Sequence, residues 1–111
     1  MKLIRYTSKN MNNSGNHAEW VLITGASSGI GFELAKVFAD RGYNIVAVAR
    51  REDKLLVLKN EIGGKATVKI IVADLALPSS PSTIYNALRK ENITISILVN
   101  NAGFGNHGPF I

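Results

Sequence analysis

The chain has no cysteine among its 111 residues. Disulfides, thiolate metal sites and a cysteine nucleophile are excluded, no metal ligand set is expected, and the composition suits a reducing compartment, so a cytoplasmic location is expected. No apolar run reaches the length that spans a bilayer, and no membrane partner is expected. The first stretch, MKLIRYTSKNMNNSGNHAE, has no continuous apolar core of the kind a secretory signal carries, so residues 1–19 read as a polar, flexible leader. Acidic residues are the scarcer sign, 8 against 13 basic ones, for a net charge of +5. Lys36, Arg41, Lys54, Lys59, Lys65, Lys69, Arg89 and Lys90 are scattered and form no basic stripe interleaved with aromatics, so nucleic acid is not an expected partner.

What is present is 46% hydrophobic residues, enough for the core of one small domain, here residues 20–111. Four short, mostly β-branched runs stand out: Val21-Leu22-Ile23, Ile45 to Ala49, Val68 to Val72 and Ile95 to Val99. Such runs suit buried strands. Amphipathic stretches separate them. Ile30, Leu34, Val37 and Phe38 recur at helical spacing before Arg41-Gly42, where glycine suits a left-handed cap. Leu55, Leu58 and Ile62 repeat the spacing before Gly63-Gly64. Ser80-Pro81 reads as an N-cap followed by proline, with Ile84, Ala87 and Leu88 facing inward. The order βαβαβαβ predicts an α/β fold, a doubly wound parallel sheet with strand order 3-2-1-4, whose ligands bind beyond the carboxyl ends of the strands.

Each of those ends carries a candidate. The first is followed by Thr24-Gly25-Ala26-Ser27-Ser28-Gly29-Ile30-Gly31, a glycine-rich turn into a helix. Its main-chain N–H groups and the helix dipole suit a pyrophosphate, with Gly25 making the turn, Gly29 admitting the ligand and Gly31 letting the helix approach the sheet. The plain alternative is an ordinary strand-to-helix turn. No Gly-Lys-Ser or Gly-Lys-Thr follows, which excludes a P-loop. At the second end Ala49-Arg50-Arg51 stands where an acidic residue would chelate the ribose diol of NAD, and arginine there suits a 2′-phosphate. Arg50 is the favoured residue, with Arg51 beside it; both can instead simply solvate the next helix. Asp74, after the third run, can accept from an adenine amino group or cap a turn. Asn100-Asn101-Ala102-Gly103, after the fourth, can tie neighbouring backbones together beside a ribose or form a plain turn.

The sequence from about Trp20 onward resembles the short-chain dehydrogenase/reductase family. The glycine turn matches its T-G-x-x-x-G-x-G pattern, Asn100 to Gly103 matches its N-N-A-G, and Asp74 lies between. The resemblance implies a Rossmann fold and hydride transfer between a nicotinamide and a carbonyl or alcohol. It places Ser27 and Ile30 near the ribose and pyrophosphate, Asp74 at the adenine, and Asn100, Ala102 and Gly103 on the adenosine side. NADP-using relatives often carry a basic residue where Ser28 stands here, which shifts weight to Arg50 and predicts NADP over NAD.

The family's catalytic serine and Tyr-x-x-x-Lys pair lie beyond N-N-A-G, and no residue up to Ile111 can be assigned their work. Tyr85 and Arg89 share the spacing, but arginine does not relay protons near neutral pH, and a surface helix pair is expected. His17 and His107 read as a leader and a loop residue. The segment alone is therefore expected to be an inactive cofactor-binding fragment with an incomplete sheet, its fourth strand bare along the outer edge. Oligomers are expected only where a carboxyl-terminal half is present. A non-catalytic NADP-binding regulatory module, or a half that folds beside a partner chain, are the other functions this pattern allows.

Overall fold

The computed structural model describes residues 2–5 and 18–101. The four predicted strands form as β2 (Trp20–Thr24), β3 (Asn44–Ala49), β4 (Val68–Val72) and β5 (Ile95–Asn100). Between them run α1 (Gly29–Asp40), α2 (Glu52–Ile62) and α3 (Ser80–Lys90). The parallel order β5-β2-β3-β4 is the expected 3-2-1-4 arrangement.

Apolar residues dominate these strands, and run unbroken through the central β2 and β3 from Val21 to Ile23 and from Ile45 to Ala49, because both sheet faces are buried there and successive side chains point to opposite sides. Lys69 and the exposed Val72 of β4 and Ser96 of β5 are the exceptions. Val21, Ile23, Ile45, Ala47, Ile97 and Val99 lie in one cluster with Leu55, Leu58 and Ile62 of α2. Leu22, Val46, Val48, Ile71 and Leu98 lie in the other, beneath Ile84 of α3, with Ala87 and Leu88 at its margin. Fully burying one such side chain contributes about 1.5–3 kcal/mol, so each face is held mainly by its helices.

Three sequence expectations are corrected. Lys2–Arg5, assigned to the flexible leader, forms a strand, β1, which pairs antiparallel with β5 from Lys2 opposite Asn100 to Arg5 opposite Ile97. The outer edge of β5 is therefore covered along those residues. An apolar strand with an open row of N–H and C=O groups is satisfied by any extended segment that reaches it. On α1 the expected inward stripe is rotated: Ile30 and Val37 are exposed, and Gly31, Ala35 and Ala39 are the buried residues. Small side chains let the helix axis lie close to the sheet, with Leu34 and Phe38 packed at the flanks. At α3 the N-cap is Ser79 rather than Ser80, and the buried Ser80 hydroxyl donates to the Asp74 carbonyl. No helix among the described residues is long and apolar enough to cross a membrane.

Candidate functional site

The four parallel strands leave the sheet at one edge, so the turns after β2, β3 and β4 share the carboxyl margin with Asn101, just after β5. Two main-chain bonds tie the turns after β2 and β4 to the end of β3: Ala26 N–H donates to the Val48 carbonyl at 3.2 Å, and Ala73 N–H to that of Ala49 at 3.0 Å. The strand order reverses between β2 and β5, and in open α/β sheets that crevice is the ligand address. Thr24 spans it. Fully buried, its hydroxyl accepts from Asn101 N–H at 2.8 Å and donates to Asn100 Oδ1 at 3.1 Å.

The glycine turn has the conformation its composition requires. Gly25 and Gly29 sit at φ of +67° and +62°, in the left-handed region that other residues enter only at a cost. Gly29 has open space where a Cβ would be. Gly31 is the reverse case: a Cβ there would lie 2.4 Å from the Gly25 carbonyl oxygen and 2.6 Å from Asn101 Nδ2. This glycine thus lets the helix, the turn and Asn101, just after β5, come together. Ser28, the N-cap of α1, is extended and makes no side-chain cap bond, and the first helical turn holds no acidic residue. The positive end of α1 is not neutralised by its own side chains, so the turn presents main-chain donors suited to an anion. Ser27 is half-buried in this turn, and Ser28 and Ile30 are exposed.

The two arginines after β3 take different positions. Arg50 is exposed and lines a cleft of about 350 Å³ with Asp74, Leu77, Ser80 and Thr83, and it makes no ion pair with another described residue. Arg51 is held by Asp53 in a two-point contact, Nε to Oδ1 at 3.2 Å and Nη2 to Oδ2 at 2.9 Å. Hydrogen bonding from Arg51 pulls the Asp53 carboxyl below its usual range, and the same bonds raise the guanidinium further. Asp74 does form a turn cap, its Oδ1 accepting from Ala76 N–H at 2.9 Å, while its residue also lines the cleft. Asn100 is half-buried at the end of β5. Ala102, Gly103, His17 and His107 lie outside the described residues.

The structure thus gathers the glycine turn, Arg50, Asp74 and Asn100 at one margin, and it ties Arg51 to α2. Sequence reasoning expected the asparagine pair to tie neighbouring backbones but did not single out Thr24 as its partner across the switch point, since threonine before a glycine turn is unremarkable until β5 is placed beside β2. It also missed Asp53, for which the Arg-x-Asp spacing at a helix start was the available signal. Tyr85 and Arg89 form the surface pair expected of them, with the guanidinium 5.7 Å from the ring centre.

A glycine turn into an uncapped helix, at the switch point of a doubly wound parallel sheet, defines a Rossmann-type domain. The chain belongs to the short chain dehydrogenase family, whose profile matches residues 19–111, and that family binds NAD(P). It is 37% identical over 115 residues to the very-long-chain 3-oxoacyl-CoA reductase of Pyrenophora tritici-repentis, covering 98% of this chain and 33% of the relative. The L-sorbose reductase of Gluconobacter frateurii, solved with NADPH and L-sorbose, matches at a TM-score of 0.70 and 38% identity, over 80% of this chain and 35% of that one. A short-chain dehydrogenase from Sphingobium yanoikuyae, solved with NADPH, matches at 0.66 and 40% identity, over 81% and 36%. The chain spans about a third of the length of the curated relatives it matches.

Proposed function

We propose that this chain is the cofactor-binding part of an NADP-dependent short-chain oxidoreductase acting on a carbonyl or alcohol. The observation that carries the reading is the α1 amino end, where the first turn has no side-chain cap and opens with Gly29, whose Cβ position lies in open space. Main-chain N–H groups from Ser27 to Gly31 hold the pyrophosphate there, and Gly29 lets it approach. Arg50, in the adjoining cleft, meets the 2′-phosphate, and Asp74 accepts from the adenine amino group with the carboxylate capacity its turn bond leaves over. Thr24, by fastening Asn100 and Asn101 to β2, fixes the end of β5 on which the ribose side of the site rests. NADPH supplies the hydride when bound. The relatives named above are reductases or were solved with NADPH, which supports a carbonyl as the acceptor and NADP as the preferred dinucleotide.

The test compares NADPH and NADH binding by calorimetry in the unmodified chain and in Arg50→Ala. A charge-assisted bond to phosphate contributes about 1.5–3 kcal/mol, so the variant should bind NADPH about ten- to a hundredfold more weakly and NADH unchanged. Equal affinity for both dinucleotides in the unmodified chain refutes the 2′-phosphate assignment. No uptake of either refutes the site.

A further inference from the structure

Two adjacent arginines at one strand end suggest a doubled phosphate clamp, yet the structure treats them unequally. Arg50 opens into the cleft, while the Nε and Nη2 donors of Arg51 are both taken by Asp53, two residues on. That edge of the guanidinium is one of the geometries that grips a phosphate through two parallel bonds, and a carboxylate already occupies it. Glu52 and Asp53 set two negative charges in the first turn of α2, next in the chain to Arg50 and Arg51, and of these only Asp53 pairs among the described residues, with Arg51. We infer that Asp53 is a specificity-determining residue, which holds the Arg51 fork away from the 2′-phosphate of a bound dinucleotide and leaves NADP recognition here to Arg50. The inference rests on the NADP reading above.

Burial does not lock the pair. The side chains of Arg51 and Asp53 are 62% and 65% exposed, so the contact exchanges with solvent and a phosphate dianion competes with Asp53 for the same donors. Such exposed pairs are weak. Removing the carboxylate charge therefore frees the fork at little structural cost, and the Arg51 stem, adjacent in the chain to Arg50, turns to the same phosphate. NADH is the internal control, because it shares the pyrophosphate, adenine and nicotinamide and differs at the 2′ position.

The experiment measures NADPH and NADH dissociation constants by calorimetry on the full chain in four forms: unmodified, Asp53→Asn, Arg51→Ala, and the double variant Arg51→Ala with Asp53→Asn. Far-ultraviolet circular dichroism confirms that each is folded. Asp53→Asn should tighten NADPH by about three- to tenfold, the range between an exposed ion pair and a charge-assisted phosphate bond, while NADH changes by less than about twofold. In the double variant that gain should vanish, since there is no fork to release. A gain that survives without Arg51 overturns the inference, because loss of a negative charge then suffices to explain it. So does an Asp53→Asn variant with an unchanged NADPH to NADH ratio, even where Arg50→Ala still abolishes the preference and the NADP reading stands. If the unmodified chain takes up neither dinucleotide, the NADP reading fails and this inference with it.

Discussion

Replacing Gly31 by alanine sets two tendencies against each other, and the structure decides between them. Alanine is favoured over glycine in a helix by about 1 kcal/mol, so propensity alone predicts a stabilised variant. The new Cβ would, however, stand 2.4 Å from the Gly25 carbonyl oxygen, 3.0 Å from its carbon and 2.6 Å from Asn101 Nδ2. The Asn101 amide can swing aside. The Gly25 carbonyl cannot move freely, because its φ of +67° and the Ala26 bond to Val48 hold the turn in place. Overfilling a packed site costs about 1–3 kcal/mol, and a contact this close to main chain belongs at or beyond the upper end. Set against the propensity gain, the net loss is about 2 kcal/mol, which for a domain of this size lowers Tm by about 8–16 °C. Thermal unfolding followed by circular dichroism measures it. Gly64→Ala is the control, since nothing lies within 4 Å of its Cβ position and its φ is not positive; it should stay within about 0.5 kcal/mol of the parent. A Gly31→Ala protein as stable as the parent would refute the argument that this glycine permits the helix, the turn and Asn101 to meet.

Two further outcomes follow from the same margin. Thr24→Val removes a buried hydroxyl that serves Asn101 N–H and Asn100 Oδ1, so urea unfolding should show a loss of about 1–3 kcal/mol, with Thr24→Ser retaining most of it; a valine variant of parental stability would mean the staple is dispensable. Asp53 has its pKa depressed in the folded state, chiefly by hydrogen bonding from Arg51, so its contribution is complete above the ordinary carboxylate range and is lost as pH falls through the lowered folded value. Carboxyl-carbon NMR should show the Asp53 midpoint rising in Arg51→Ala and in high salt; a midpoint indifferent to both would show that the pair does not form in solution.

The parallel core was readable because its residues repeat one physical demand. Val21 to Ile23, Ile45 to Ala49 and Ile97 to Val99 are apolar at every step, and only a strand covered on both faces asks for that. The inward stripe of α1 was misread for a related reason: Ile30 and Val37 have the expected spacing, but the space against the sheet is shallow and Gly31, Ala35 and Ala39 fill it. Depth is a tertiary quantity. Lys2–Arg5 offered no signal of its own, since a four-residue strand is set by the edge it joins rather than by its composition. Among site residues, the glycines were legible because positive φ and close approach restrict residue choice. The unequal fates of Arg50 and Arg51 were not, because they depend on where the Asp53 carboxylate lands when α2 begins.

The opposite, amino-terminal margin of the sheet is braced in a separate way. Asn44 N–H donates to the Glu19 carbonyl at 2.8 Å, Asn44 Oδ1 accepts from Thr67 N–H at 3.0 Å, and Ile45 N–H returns to the Thr67 carbonyl at 2.9 Å. None of these groups borders the glycine turn or the Arg50 cleft. The exposed groups of the carboxyl rim, Arg50, Arg51 and Asp53, can therefore change while this margin keeps the strands in alignment, whereas Gly31 and Thr24 are part of the scaffold itself.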